Sequence, residues 1–491
     1  MMLGLRQRMG AMLPRNSFVR GVIALAGGTM GAQAILIAAS PVLTRLYTPE
    51  MFGVMAVFVG FSTVLGTLAT WRYEIAIPQA DNDQAAASVA VLCFSLTLLM
   101  STLSAAAVFF FQDAIVRLFQ LDEVASFLWM IPLFILSIGL YQILTYWNFR
   151  RRQFGSVAQS AVGKNLGMVG IQTVFYSAGA IALLAGHLLS QFLAALLLLR
   201  HSSVLFHQKI TAEIVRENAK RFRKYPIFSS WSGFTGSAAQ QAPMLMFAAL
   251  FSPVQAGLYS LAHRIIGLPG ALVGRAVSNV FLPHAADAYR EGQLGNLLSE
   301  VHVILARLAT PAVIVLAIVA PELFALAFGN EWQEAGHYAQ WLSVMLYAHF
   351  MYSPVSTSFG IMDRQEAGLL LHVSLLMVSV SSIWIGASIY NSTLITVALY
   401  SVANAVLYVC ALAWIHRKAG GSAAALAAPV VSSFLRASPI ALPLIIAAFV
   451  PVPFWVVIVL AIMAALFIAL YYKPLLRDLR QPTSINTHKS S

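Results

Sequence analysis

Long apolar blocks separated by short polar breaks run the length of this chain. With about 20 residues needed to cross a ~30 Å hydrocarbon core, they predict fourteen membrane-spanning helices. These fall at residues 18 to 40, 51 to 71, 85 to 111, 124 to 148, 157 to 177, 179 to 199, 227 to 250, 255 to 283, 301 to 328, 333 to 358, 366 to 389, 391 to 415, 430 to 450 and 453 to 472. The boundary between spans five and six is the least marked. The fold class expected is an all-α integral membrane protein.

The break between the first two blocks is the octapeptide Leu46-Tyr47-Thr48-Pro49-Glu50-Met51-Phe52-Gly53. It returns 204 residues later as Leu250-Phe251-Ser252-Pro253-Val254-Gln255-Ala256-Gly257. Each copy follows one apolar block and opens another, so each reads as a tight turn between paired helices with proline at a first helical position. The register persists downstream: Pro78 answers Pro283 one residue out of step, Asp81 lies near Asp287, and Arg152-Gln153 corresponds to Arg364-Gln365 at an offset of 212. The chain is therefore expected to be an internal duplication. Six spans separate the copies, so both begin at the same membrane face and the halves are expected to be parallel. The division expected is a six-helix lobe at 1–200, a basic amphipathic cytoplasmic linker at 201–226, a second six-helix lobe at 227–416, and two extra helices with a cytoplasmic tail at 417–491.

Composition agrees with a membrane body, at 59% hydrophobic and 10% charged residues, against about 25% charged in soluble domains. Met1 to Arg20 is basic and poor in apolar residues, and the first apolar run is long enough to stay as a span, so no cleavable signal peptide is expected. Cys93 and Cys410 fall inside spans, which argues against a disulfide or metal framework.

The formal charge of +12 raises nucleic acid as a partner, and its distribution removes that reading. Of 30 Lys and Arg residues, 24 fall on the cytoplasmic side of the fourteen-span arrangement, among them Arg72, Arg150 to Arg152 and seven between residues 200 and 224. Only Arg45 and Arg117 fall outside. This is the positive-inside pattern with both termini cytoplasmic. Outer loops are short, the longest being Gln112 to Glu123. In the cytoplasmic segment His201 to Tyr225, Ile210, Ile214, Val215 and Phe222 interleave with basic residues, which predicts an amphipathic helix lying at the membrane surface.

Four basic residues remain at membrane depth: Lys164, Arg264, Arg275 and Arg307. Each costs several kcal/mol facing lipid, so each is expected to face a cavity, a partner or an interface. Arg264 is near the midplane, about ten residues into span eight, and Arg275 follows eleven residues on, within about 20° of the same helix face. Alternatives stay open: Arg275 snorkelling to phosphates, and Arg264 capping carbonyls near a bend at Pro269. Span seven is unusually polar, with Ser229, Ser230, Trp231, Ser232, Thr235, Ser237, Gln240 and Gln241, and span four carries Tyr141, Gln142, Thr145, Tyr146, Trp147 and Asn148. Hydroxyls, amides and aromatic faces suit a sugar-accommodating wall, although small polar residues also mediate helix packing in membranes. Glu74, at the cytoplasmic end of span two, with His263 and His349, are the candidates for coupling to an ion, interhelical hydrogen bonding being the other role open to the histidines. No Gly-rich phosphate loop, nucleophile elbow, paired carboxylates or metal-ligand spacing is present.

The segment Thr44 to Gly53, followed by Trp71-Arg72-Tyr73-Glu74-Ile75-Ala76-Ile77-Pro78, resembles the opening of bacterial polysaccharide-export flippases of the Wzx type. That family belongs to the multidrug/oligosaccharidyl-lipid/polysaccharide exporter superfamily. The resemblance implies two bundles in a V shape, alternately open to cytoplasm and periplasm in the inner membrane. It implies an undecaprenyl-pyrophosphate-linked oligosaccharide repeat unit as substrate, moved between leaflets for O-antigen, capsule or exopolysaccharide assembly. Implied partners are membrane lipids, a polysaccharide polymerase and a chain-length regulator, with no cofactor and a proton or sodium gradient as the drive. On this reading Lys164, Arg264, Arg275 and Arg307 take the pyrophosphate, and Ser230, Trp231, Thr235, Gln240, Gln241, Tyr141, Gln142 and Tyr146 face the glycan. The rivals are a lipid II flippase of the same superfamily and, from another class, a membrane glycan polymerase or ligase. The latter is expected to carry a sizeable outer loop, and a multidrug extruder would need midplane acids.

Overall fold

The computed structural model describes residues 17–119, 122–422, 424–450 and 454–480. Among them there is no strand, and fourteen helices reach eighteen residues or more. They are α1 (Ser17–Leu46), α2 (Pro49–Gly66), α3 (Asp83–Phe119), α4 (Ile131–Arg150), α5 (Phe154–Val174), α6 (Ala180–Leu199), α7 (Ser230–Leu250), α8 (Pro253–Arg290), α9 (Leu294–Phe328), α10 (Gln333–Tyr352), α11 (Gln365–Ile385), α12 (Thr393–Lys418), α13 (Ala424–Phe449) and α14 (Phe454–Arg480). They match the fourteen expected spans in number and order. Hydrocarbon offers the backbone no hydrogen-bond partner, so an apolar chain crossing it must satisfy its own N–H and C=O groups, and a helix does so locally. Counted over the described residues, nine of these helices are long and apolar enough to cross a membrane. The protein is a multi-pass membrane protein.

Two compact units are present, Met1–Ser260 and Leu261–Ser491. In the first, α1 packs on α5, α5 on α6, α3 on α4, and α2 on α7. In the second, α9 packs on α10, α10 on α12, and α11 on α12, while α13 lies along α9 and carries α14. Ile314 of α9, Ala437, Ile440 and Leu444 of α13 and Ala464 of α14 form the core that fixes the added pair. The first unit extends past the expected boundary at 226 to include α7 and the start of α8.

The two octapeptides explain that extension. Thr48 caps α2 by accepting from the Met51 N–H at 3.4 Å, and Ser252 does the same for Gln255 at 3.3 Å. Pro49 and Pro253 begin the helices that follow, as the turn reading required. The copies then cross. A Cβ on Gly53 would lie 1.7 Å from the Pro253 carbonyl oxygen, and one on Gly257 2.1 Å from the Pro49 carbonyl oxygen. Only hydrogen fits at either place, so each glycine lets the other copy's first turn approach.

Duplication also shows in element lengths: α4 and α10 have 20 residues each, and α5 and α11 have 21. The turns before α5 and α11 close alike, with Gln153 N–H donating to Asn148 O and Arg364 N–H to Phe359 O. Arg152 and Asp363 take the left-handed position, at φ 54° and 55°, so the correspondence at these exits is one residue shorter than the sequence offset. Repeat symmetry fails at α2, which ends at Gly66, whereas α8 runs 38 residues without interruption. One further expectation is corrected, and the linker proves to have a docking surface. The region expected as the longest outer loop is largely helical, since α3 continues to Phe119 through a kink at Phe111. The linker helix Ala212–Arg221 docks on protein: Asn218 is buried and donates to Ser88 Oγ at 3.0 Å, Tyr73 OH donates to Ala219 O at 3.0 Å, and Arg221 pairs with Asp81. Ile210 and Phe222 cover the core around Ile77 and Trp147. Its apolar side is thus used by a neighbouring core, and Lys209, Arg216, Lys220, Arg223 and Lys224 remain exposed.

Candidate functional site

The interruption after α2 helps build a cavity in the first unit. Past Gly66 the chain turns through Trp71 and Arg72, both in the left-handed region at φ 49° and 61°, then forms a short 3-10 helix, Tyr73–Gln79. Such a conformation at a residue other than glycine costs about 1 to 3 kcal/mol and persists only where the surroundings hold it. Here Thr70 donates to the Glu74 carboxylate, and the Arg72 guanidinium lies 3.7 Å from Glu74. The Glu74 side chain is 1% exposed and that of Arg72 31%. Burial pushes the Glu74 carboxyl up, opposed by the Thr70 hydrogen bond and the Arg72 charge. Arg72 Nε is buried without a hydrogen-bond partner.

Opposite Arg72 lies one face of α7 and its approach: Ser229, Ser232, Gly233, Gly236, Ser237 and Gln240. Their spacing of three, one, three, one and three residues places them on a single helical stripe. With Thr67, Ile75, Gln142 and Phe228 they line an open cavity of about 720 Å³ around Arg72. A guanidinium on a wall of hydroxyls and amides binds anions through a planar fork of donors, and matches phosphate in particular. A Cβ on Gly233 would lie 2.8 Å from Arg72 Nε. A Gly233→Ala protein is expected to reach normal membrane abundance, because the flexible arginine gives way, but to lose anion affinity. Titration of the purified protein with inorganic pyrophosphate checks this, and unchanged affinity would sink the role given to Arg72.

Of the residues expected to face a glycan, Gln142 and Gln240 line this cavity. Ser230 is buried and donates weakly to Tyr225 O at 3.5 Å. Trp231 is exposed and meets Phe234 edge-on, and Thr235 donates to Trp231 O at 2.8 Å. Gln241 packs beside Gly60 of α2. These four lie on other faces of α7, one or two positions off the cavity stripe. Tyr146 meets Phe149 edge-on and is within electrostatic reach of Glu74 and Arg72. Tyr141 approaches Ser160 at 3.4 Å.

The expected cations fall in both units. Lys164 sits 5.0 Å from the Tyr141 ring centre, a cation–π contact within the first unit. Arg264 is half-buried in α8 and makes no ion pair among the described residues. The Arg275 side chain lies outside the described residues. Arg307 is half-buried in α9, within electrostatic reach of Tyr471 in α14. His263 is within electrostatic reach of His349, which lines a separate cavity in the second unit. Sequence reasoning missed Arg72, which counted only toward topology. The signal was there in part: Gly66 and Pro78 bracket the break, and the small-residue stripe of α7 is periodic.

A sequence profile of the polysaccharide biosynthesis protein family matches residues 42–337, well over half of the chain. The chain is similar to the succinoglycan biosynthesis transport protein ExoT of Rhizobium meliloti (strain 1021), at 24% identity over 320 residues and 63% of this chain. It spans about three fifths (61%) of the length of that curated relative. Among solved structures, lipid II flippase MurJ in an inward closed conformation superposes with a TM-score of 0.72 at 15% identity, covering 94% of this chain and all (100%) of that one. A transporter of the MOP superfamily from Pyrococcus furiosus superposes at 0.52 with 14% identity, over 87% of this chain and 97% of that one. At these identities the likeness is one of fold.

Proposed function

Because the chain belongs to the polysaccharide biosynthesis protein family, we propose that it is a flippase that moves undecaprenyl-pyrophosphate-linked oligosaccharide units from the cytoplasmic to the periplasmic leaflet of the inner membrane. The observation that carries the reading is Arg72, held at the break after α2 and facing a stripe of serine, glycine and glutamine. The guanidinium suits the diphosphate, and the hydroxyl and amide wall suits the first sugars. Irregular backbone of this kind is tolerated in membrane proteins where it lines a cavity. The half-buried Arg264 is a second station for the anion in the second unit, with Lys164, Arg275 and Arg307 as supporting charge.

Transport by alternating access needs binding groups that change exposure, and no bond is made or broken in the substrate. The succinoglycan assignment of the relative favours exopolysaccharide assembly among the pathways open to this chain, with a polymerase and a chain-length regulator acting on the product. Glu74 is the group proposed to couple transport to a proton gradient, since its burial brings proton exchange closer to the physiological range. Substitution Glu74→Gln keeps an acceptor for Thr70 and removes the titration. In inverted vesicles, glycolipid movement by the wild-type protein is expected to respond to an imposed pH gradient and that by Glu74→Gln to be indifferent to it. An undiminished response would assign the coupling elsewhere.

The reading as a whole is tested in cells lacking their own repeat-unit flippase. Restored surface polysaccharide supports it. Rescue of a lipid II flippase defect without restored polysaccharide overturns it, as would full glycan export by an Arg264→Ala, Arg72→Ala double variant at normal abundance.

A further inference from the structure

The second unit contains a cavity of about 450 Å³ where α10 ends and α11 begins, a volume within the range of small-ligand sites. Its chemistry differs from that around Arg72, because among the described residues no Lys, Arg, Asp or Glu lines it. The polar groups on its wall are instead two imidazoles, three hydroxyls and an amide, from His349, His372, Tyr352, Ser353, Ser356 and Gln365, with aromatic rings between them.

Several of these groups are fixed. His372 Nδ1 lies 2.7 Å from Gly368 O, and as a carbonyl only accepts, Nδ1 must carry the proton, which leaves Nε2 as the ring's remaining polar atom. Ser356 donates to Ser353 O at 2.8 Å, so its oxygen keeps lone pairs for a ligand. From behind, α12 braces the wall: the Tyr408 ring stands 5.1 Å from His349 and 5.3 Å from Tyr352, and Trp414 stacks on Phe359 at 5.4 Å. A phosphate would call for a cation and a cationic drug for a carboxylate. Neutral donors and acceptors set among aromatic rings complement a molecule with many hydroxyls and apolar C–H faces.

We propose that this cavity is a saccharide site, taking an uncharged sugar of the transported glycan at the α10–α11 junction. The inference rests on the chain carrying lipid-linked saccharides, and it adds a place of contact in the second unit.

Photo-crosslinking in cells fed a radiolabelled hexose tests it on the full chain. A benzophenone amino acid is placed at Leu369, which lines the cavity, at its equally exposed neighbour Leu370, which is not part of the cavity wall, and at Ser237 in the cavity of the first unit. The expected result is several-fold more sugar label at position 369 than at 370. Label at 237 with none above background at 369 overturns the saccharide site and leaves the flippase reading standing. Equal label at 369 and 370 overturns it as well, by showing contact without a site. Label at neither 237 nor 369 overturns both.

Discussion

Replacing Arg72 with alanine is expected to abolish most polysaccharide export while the protein still accumulates in the membrane. Removing one partner of a partly buried charge pair costs about 2 kcal/mol or more, which is about thirtyfold in apparent affinity for an anionic substrate. Arg72→Lys is expected to fall between, since lysine keeps the charge and loses the planar fork. One ambiguity is built into the site: without Arg72 the buried Glu74 loses its counter-charge, so a defect could reflect instability. Combining Arg72→Ala with Glu74→Gln separates the two, because it should recover thermal stability without recovering affinity for inorganic pyrophosphate, a readout that the proposed coupling role of Glu74 does not enter. Affinity of the double variant close to wild type would remove Arg72 from the binding site. The measurement is surface glycan per unit of membrane protein, with melting temperature and pyrophosphate affinity recorded in parallel.

The second large effect is expected at the crossing of the two octapeptides. Gly53→Ala would drive a methyl group to 1.7 Å from a backbone oxygen, and neither helix can relieve that by turning a side chain. Overpacking of this kind costs about 1 to 3 kcal/mol, to be seen as a lower melting temperature and reduced abundance. Gly257→Ala should behave alike, its methyl meeting the Pro49 oxygen at 2.1 Å. By contrast Gly27, an exposed α1 glycine with open space for 4 Å around the place a Cβ would take, should tolerate alanine or gain about 0.5 to 1 kcal/mol from helix propensity. Equal stability of Gly53→Ala and Gly27→Ala would mean that the two turns do not pack as described.

Much of this molecule was legible in the residue pattern because the bilayer imposes a length and a backbone rule on every crossing. Fourteen helices and the proline-led turns follow from local apolarity and from residues such as Pro49 and Pro253 acting where they stand, whereas the break between α5 and α6 was the least marked. The linker was half legible: its helix and amphipathic order were visible, but the surface that covers Ile210 and Phe222 comes from residues far earlier in the chain. The site was less legible still. Four cations at membrane depth drew attention because depth can be counted from sequence, whereas Arg72 sits just past a helix end and looked like one more cytoplasmic charge.

By itself, then, the order of residues determined the helix count, the duplication, the membrane setting and the polar stripe of α7, since each depends on neighbours within a turn or on a repeat. Tertiary structure alone decided that α2 stops at Gly66 while its counterpart runs on, that Thr70 and Glu74 hold Arg72 toward α7, and that Gly53 and Gly257 admit each other's helices. Those outcomes depend on contacts between segments far apart in the chain, where a few ångströms of approach, set by the absence of a single methyl group, separate a cavity from a packed core.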